Sequence, residues 1–210
     1  IQMGEANNWS AQETHDRLKE YYDGYHFSRR NMVDVYNPYS LVNALKSKEI
    51  INFWASSGAT SLLPKFVDNA ELRMKNFEHC RIMRNTLELS DVAGGGAELF
   101  LYQSGYLTIK ESDEFGYILG FPNEEVKQAL YEMVLPALTL REKSDIQSIQ
   151  ANLYAQLGTG QIDEAMKSLK ALIADVPYSN KKLASMDMEE RYRLIISTIL
   201  NAIGLNVEVE

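Results

Sequence analysis

Tyr21-Tyr22-Asp23-Gly24-Tyr25-His26-Phe27 is the stretch around which the rest of the chain is organised. It gathers four aromatic rings, one histidine and one aspartate around a single glycine, and we call these seven residues the aromatic corner. The residues from Ser10 onward predict an amphipathic helix. We expect that helix to stop at Gly24 with a positive φ, because glycine adopts the left-handed conformation of a helix C-terminus without steric cost.

The aromatic corner has two interpretations. Rings at this spacing predict a rigid, buried corner in which Tyr25 and Phe27 pack in the core and the tyrosine hydroxyls find hydrogen-bond partners. The alternative is a ligand site on Asp23 and His26, since polar groups held among aromatic rings also mark functional sites.

The first half of the chain carries clear helix start signals. Ser10 and Glu13 have the spacing of a capping box, and Asn37-Pro38 places an N-cap before a proline at the first helical position. We expect the helix after Pro38 to bury one apolar stripe, formed by Leu41, Val42, Ala44 and Leu45. A short apolar helix containing Ile50, Ile51, Phe53 and Trp54 is predicted to end near Gly58, and another helix is predicted near residues 70–76.

A glycine-rich joint at residues 94–96 precedes a helix predicted over 97–104. Two strands follow, at 107–110 and 117–119, separated by a polar turn. A helix followed by a hairpin is typical of a winged-helix-like unit. Pro122-Asn123 then opens a helix with Val126, Leu130 and Val134 on its buried face, which Pro136 should kink or end.

Helical periodicity dominates the chain beyond about residue 142. Ile146, Ile149, Leu153 and Leu157 recur at helical spacing and predict one helix, which Gly158-Thr159-Gly160 should break. A second amphipathic helix is predicted from Ile162 to Val176, ended by Pro177, with its other apolar positions at Ala165, Met166, Leu169, Leu172 and Ile173. A last helix is predicted to begin at Asp187 or Met188. The alternation of residues 205–210 predicts one final strand. The expected fold is therefore mainly α, of the α+β class: a helical bundle with a winged-helix-like unit, then a helical module ending in one strand.

Three segments together resemble a family of bacterial AAA-ATPase-like proteins. They are the aromatic corner followed by Val35-Tyr36-Asn37-Pro38-Tyr39-Ser40-Leu41, the segment 101–110, and the segment 119–126. In that family a P-loop ATPase domain precedes these segments and a PD-(D/E)XK, restriction-endonuclease-like domain follows them. The resemblance implies that residues 1–120 are the end of the ATPase region. Residues 121–210 would then be the helical, truncated start of the nuclease-like region.

The resemblance also implies what the chain lacks. No G-x-x-x-x-G-K-[ST] occurs in the 210 residues, so nothing here can cradle a nucleotide triphosphate in the P-loop manner. The family's catalytic Asp and Glu-x-Lys have no counterpart before Glu210. Glu189 aligns with a glutamate that approaches the metal in some relatives, and its alternative role is an exposed first-turn glutamate favoured by the helix dipole. We therefore expect no cofactor in this chain, and ATP with Mg²⁺ only in the parent protein.

Candidate chemistry elsewhere is sparse. His15, His79 and Cys80 do not make a metal site, and Ser104 lacks the first glycine of a nucleophile elbow. The rival interpretation of the whole chain is a non-enzymatic, helical protein–protein interaction module. Residues 160–169 resemble one tetratricopeptide-type repeat, but such arrays need about three copies.

Charge and composition set the expected partners. The formal net charge of −8 disfavours tight non-specific binding of nucleic acid by this chain, so nucleic acid is expected as a partner of the parent only. One cysteine and the lack of a long apolar run favour a cytoplasmic protein that does not enter membranes. The strand at 205–210 has no predicted neighbour, so we expect it to pair with its copy in a homodimer or with the hairpin of its own chain.

Overall fold

The computed structural model describes residues 2–26, 33–56, 77–87, 96–174, 176, 186–205 and 207. Within these residues the chain is mainly helical with one small antiparallel sheet, which confirms the predicted fold class. The helices are α1 Gln2–Asn7, α2 Ala11–Tyr22, α3 Pro38–Ser47, α4 Arg84–Leu87, α5 Gly96–Gln103, α6 Glu124–Thr139, α7 Lys143–Gly158, α8 Ile162–Ala174 and α9 Met188–Ala202, with a 3₁₀ turn at Trp54–Ser56. The strands are β1 Cys80–Met83, β2 Thr108–Ser112 and β3 Gly116–Gly120.

The described residues form two compact units, which divide within α6. The first unit comprises the described residues up to 129, and the second those from residue 130 onward. The assignment of residues 1–120 to an ATPase-like region and of 121–210 to a nuclease-like region stays a prediction.

Short-range signals fix several helix starts. The Ser10 hydroxyl accepts the Glu13 amide at 3.1 Å, and the Asn37 side chain accepts the amides of Tyr39 and Ser40, so both predicted N-caps are present. The capping box at Ser10 is only half formed, because the Glu13 carboxylate accepts hydrogen bonds from Arg17 one turn later.

A complete capping box instead opens α9. There the Asp187 side chain accepts the Glu190 amide and the Glu190 carboxylate accepts the Asp187 amide. The predicted start of this last helix is therefore confirmed.

The sheet has the order β1-β3-β2, with both pairs antiparallel. The predicted hairpin is β2 and β3, whereas β1 was missed because four residues are too short to show a clear alternation. The register of β2 against β3 slips between Ile109 and Glu111, which leaves Lys110 as an extra residue in a β-bulge. Bulges turn side chains away from the direction that regular alternation would give them.

Several predicted packing faces differ from the observed ones. In α3 only Ser40 and Ala44 are buried, while Val42 and Leu45 are exposed. The predicted face of α6 is confirmed, since Val126, Leu130 and Val134 are buried. Pro136 lies inside that helix and does not end it.

The predicted helix over Ile50–Trp54 is wrong apart from the 3₁₀ turn that begins at Trp54. The amides of Phe53 and Trp54 donate to the Glu125 carboxylate at 2.8 and 2.9 Å. The Ile51 amide donates to the Tyr22 hydroxyl. Because side chains from distant segments accept these hydrogen bonds, the three amides are satisfied without the carbonyl acceptors that a helix would provide.

In the second unit α7 and α8 form an antiparallel helix pair around the turn Gly158-Thr159-Gly160, as predicted. The buried residues of the pair follow one stripe on each helix, formed by Ile146, Leu153, Ala165, Leu169 and Leu172. The predicted helix near residues 70–76 and most of the predicted strand at 205–210 lie outside the described residues. Leu205 and Val207 are described, and both hydrogen-bond back to residues of α9.

Candidate functional site

The aromatic corner begins where α2 ends. Tyr22 is the last helical residue, and the Asp23 amide closes the helix by donating to the Lys19 carbonyl at 3.0 Å. Gly24 follows with a φ of 103°, the positive value predicted from the sequence. A Cβ added at Gly24 would lie 2.1 Å from the Pro122 carbonyl oxygen, so the corner is in close contact with the connection between β3 and α6.

Two tyrosine rings of the corner, Tyr22 and Tyr25, are buried, as predicted for Tyr25, whereas Tyr21 is partly buried. Tyr22 is fully buried, and its hydroxyl donates to the Ile51 carbonyl at 2.9 Å while accepting the Ile51 amide. The Tyr25 hydroxyl donates to the Gly105 carbonyl at 3.3 Å. Burial raises the pKa of both hydroxyls well above its usual range. The hydroxyls of these two residues therefore connect segments that are distant in sequence. Phe27, which was also predicted to be buried, lies outside the described residues.

His26 is held at both ring nitrogens. Nδ1 lies 2.5 Å from the Ile109 carbonyl and Nε2 lies 2.7 Å from Asp34 Oδ1. A pair of backbone hydrogen bonds between Tyr25 and Val35 brings Asp34 to this position. A backbone carbonyl and a carboxylate thus fix the orientation of the ring.

A surface pocket of about 410 Å³ lies beside the corner, and we call it the acidic pocket. Its lining residues are Asp16, Lys19, Glu20, Asp23, Gly24, Asp34, Lys110 and Pro122. Four carboxylates in this set face two lysines, so the pocket is acidic. Asp23 is only 7% exposed, and its Oδ1 is buried without a hydrogen-bond partner.

Lys110 enters the pocket from the bulge in β2. Its Nζ donates to the Pro122 carbonyl at 3.2 Å. Burial lowers the pKa of Lys110, and the charges of Asp34 and Asp23 oppose that change. The ammonium group of Lys110 therefore lies close enough to both carboxylates for their charges to affect its pKa.

Glu125, in the first turn of α6, is a second buried carboxylate near the corner. Its side chain is fully buried, and Oε1 accepts the amides of Phe53 and Trp54. Burial raises its pKa, while Ser40 and the two amides act in the opposite direction. Its Oε2 is buried without a hydrogen-bond partner among the described residues, as is the Oδ1 of Asp23, but Glu125 does not line the acidic pocket.

The other candidate residues are not among those that line this pocket. Glu189 is exposed in the first turn of α9, where its carboxylate accepts a hydrogen bond from Arg193 at 2.8 Å. The Ser104 hydroxyl donates to the Phe100 carbonyl, and Cys80, the one cysteine of the sequence, is buried. In the part of the chain that the structure describes, no group of three or more His, Cys, Asp or Glu side chains could hold a metal ion. No described helix is long and apolar enough to cross a membrane.

Sequence reasoning found Asp23, Gly24 and His26 but missed the residues that complete the pocket. Asp34 directly precedes the motif at residues 35–41, and Lys110 and Pro122 belong to the two later segments that carry the family resemblance. The spacing of Asp16, Glu20 and Asp23 was the one available signal, since the first two share a face of α2 and the third follows as its C-cap residue.

A curated protein of Azotobacter chroococcum mcd 1, described as an uncharacterized protein in the vnfD 5' region, is 26% identical to this chain over 202 residues. The alignment covers 93% of this chain but only 38% of that protein, so the chain spans well under half the length of its relative. No family model matches the chain, and no solved structure does.

Proposed function

We propose that this chain is the non-catalytic, helical middle part of an ATPase that is coupled to a nuclease-like domain and acts on nucleic acid. The chain supplies structure to that protein, and the ATPase and nuclease chemistry belongs to residues outside these 210. On this proposal, helix α5 with the β2–β3 hairpin is a winged-helix-like unit, and the protein works in the cytoplasm.

The alignment with the Azotobacter protein is the observation that carries the proposal. Nearly the whole chain aligns with little more than a third of a longer protein, which leaves room for further domains. The order of the three resembling segments supplies the identity of those domains. The relative itself has no stated activity, so the resemblance alone points to ATP and nucleic acid.

The described residues do not fit either cofactor of the proposed parent. Phosphates of ATP need a ring of backbone amides with a lysine, and no P-loop occurs in the sequence. Magnesium needs clustered oxygen ligands, and the described part of the chain presents no such group. We therefore derive no catalytic step for this chain.

Calorimetry with ATP and Mg²⁺ tests the proposal on two proteins. We expect no heat of binding for the 210-residue chain, and micromolar binding for the complete protein that its gene encodes. Micromolar binding by the chain alone would contradict the proposal, and so would a complete protein that does not bind ATP.

A helical protein–protein interaction module is the second candidate function. It is favoured by the apolar side chains that the α7–α8 pair exposes, namely those of Tyr154, Ile162 and Met166. A complete protein that neither binds ATP nor cleaves nucleic acid would leave this candidate as the better one.

A homodimer through residues 205–210 also belongs to the proposal. The alternation of Leu205, Val207 and Val209 suits an edge that pairs with its copy. Light scattering should then give twice the monomer mass for the full chain and the monomer mass after deletion of residues 205–210. A monomer at high concentration in both cases would exclude this strand as the dimer contact.

A further inference from the structure

We propose that the acidic pocket binds the guanidinium group of an arginine side chain from another protein chain. The inference does not depend on the proposed function, because it rests only on the pocket beside the aromatic corner.

The unpartnered oxygen of Asp23 is the first argument. A buried carboxylate is costly to keep unless donors surround it. In Glu125 two backbone amides donate to Oε1, while Oε2 is buried without a partner among the described residues. The Oδ1 of Asp23 is also buried without a partner, but Asp23, unlike Glu125, lines a surface pocket. A donor that arrives with a ligand would complete its hydrogen bonding.

The ammonium group of Lys110 does not donate a hydrogen bond to Asp23. Its Nζ is directed to the Pro122 carbonyl, and among the described residues it makes no ion pair with Asp23 or Asp34. The bulge in β2 fixes this position, because the extra residue changes the direction of the lysine side chain. Among the described residues, the Oδ1 of Asp23 therefore stays without a donor although Lys110 lines the same pocket.

The charge of the pocket selects the class of ligand. Asp16 and Glu20 lie on one face of α2, and Asp23 follows as its C-cap residue. Asp34 lines the same pocket from the following segment, where its Oδ1 contacts His26 Nε2. Four carboxylates against two lysines repel anions and attract a cation. A metal ion is a poor candidate, because no cluster of ligating side chains occurs among the described residues.

The distribution of acceptors favours guanidinium over ammonium. A guanidinium group carries five N–H donors in a planar fork and no acceptor, so it can serve carboxylates on different sides of a pocket at once. An ammonium is a compact point charge, which Lys110 already provides. The volume of about 410 Å³ is ample for one side chain.

The source of the guanidinium follows from the position of the pocket. Free arginine has the same net charge as an arginine within a polypeptide, because its α-ammonium and α-carboxylate offset each other, so charge does not separate the two. The pocket lies at the surface, and the exposed lining residues Asp16, Glu20 and Asp34 make it accessible to the side chain of another protein chain.

N-acetyl-L-arginine methylamide is the probe for the test, titrated into the ¹⁵N-labelled chain by NMR. We expect the Asp23 and Gly24 amide resonances to shift, while that of Gly158 stays in place. N-acetyl-citrulline methylamide has the same shape without the charge and should bind at least about tenfold more weakly. The lysine analogue and free L-arginine should also bind more weakly than the probe.

Asp23→Asn is the decisive variant, with Asp163→Asn on the exposed start of α8 as its matched control. We expect Asp23→Asn to abolish binding and to leave the melting temperature unchanged or raised, because it removes an unpartnered buried charge. Asp163→Asn should bind as the wild type does. The proposal is overturned if the probe does not bind, if citrulline, lysine or free arginine binds as well, or if a folded Asp23→Asn variant retains affinity.

Discussion

The aromatic corner and the α7–α8 helix pair are built by different rules. In the corner, Tyr22 and Tyr25 hydrogen-bond to residues 29 and 80 positions away, and Gly24 touches the Pro122 carbonyl. In the helix pair, one buried stripe per helix and a glycine-containing turn account for the structure. Long-range contacts make single positions irreplaceable, whereas a periodic stripe distributes the stabilisation over several side chains.

The largest difference between the two regions is expected for a matched pair of glycine substitutions, one in the corner and one in the helix pair. Gly24→Ala forces a positive φ on alanine and drives its Cβ into a backbone carbonyl, so we expect a loss of about 4 kcal/mol in the free energy of unfolding. Gly158→Ala meets nothing within 4 Å at a helical position and should be neutral or stabilising by up to about 1 kcal/mol. Urea denaturation measures both, and equal effects would refute the contrast.

The helix pair can be tested at adjacent positions of α7. Leu153 is fully buried, so Leu153→Ala should cost about 3 kcal/mol in the free energy of unfolding. Tyr154 is 69% exposed, and Tyr154→Ala should change that free energy by less than about 0.5 kcal/mol. A large loss at Tyr154 in urea denaturation would mean that another surface covers the ring.

Removal of one hydroxyl tests the corner without changing its packing. Tyr22→Phe deletes two hydrogen bonds with Ile51 and leaves the ring in place, so we expect a loss of about 1–2 kcal/mol. Tyr154→Phe is the exposed control and should have almost no effect. If thermal unfolding shows the same change for both variants, the Tyr22 hydroxyl contributes nothing to the corner.

The smallest expected effect is a change in how stability depends on pH. Burial raises the pKa of Glu125, so the folded state holds its proton more tightly than the unfolded state does. Its contribution to stability is therefore complete below the unfolded pKa of about 4.3 and is lost as the pH rises through the raised folded pKa. Glu125→Gln should remove this part of the pH dependence.

The measurement compares urea denaturation at acidic and neutral pH. The stability of Glu125→Gln relative to the wild type should increase from acidic to neutral pH, and the exposed control Glu111→Gln should show no such trend. Glu124 and Glu132 also have pKa values raised by burial and remain in the variant, so some pH dependence with the same sign will persist. A trend of opposite sign would mean that Glu125 is stabilised as the anion.

The sequence predicted only some of the residues of the candidate site. Aromatic residues around Gly24 mark the corner, because a helix end and a glycine are local signals. The partners of that corner are not local: Asp34 arrives through the backbone pairing of Tyr25 with Val35, and Lys110 through a bulge in a strand. Nothing in the spacing of these residues indicates that they line one pocket with Asp23.

The sequence by itself determined the helix caps at Ser10, Asn37 and Asp187, the β2–β3 hairpin and the turn between α7 and α8. Each of these depends on groups only a few residues apart, so the physical cause lies within the segment. Only the tertiary structure decided that residues 50–53 are not helical, that β1 joins the hairpin, and that Glu125 is buried. The amides of Phe53 and Trp54 donate to a carboxylate more than 70 residues away. Because that acceptor is so distant in the chain, the sequence of residues 50–54 gives no indication of these hydrogen bonds.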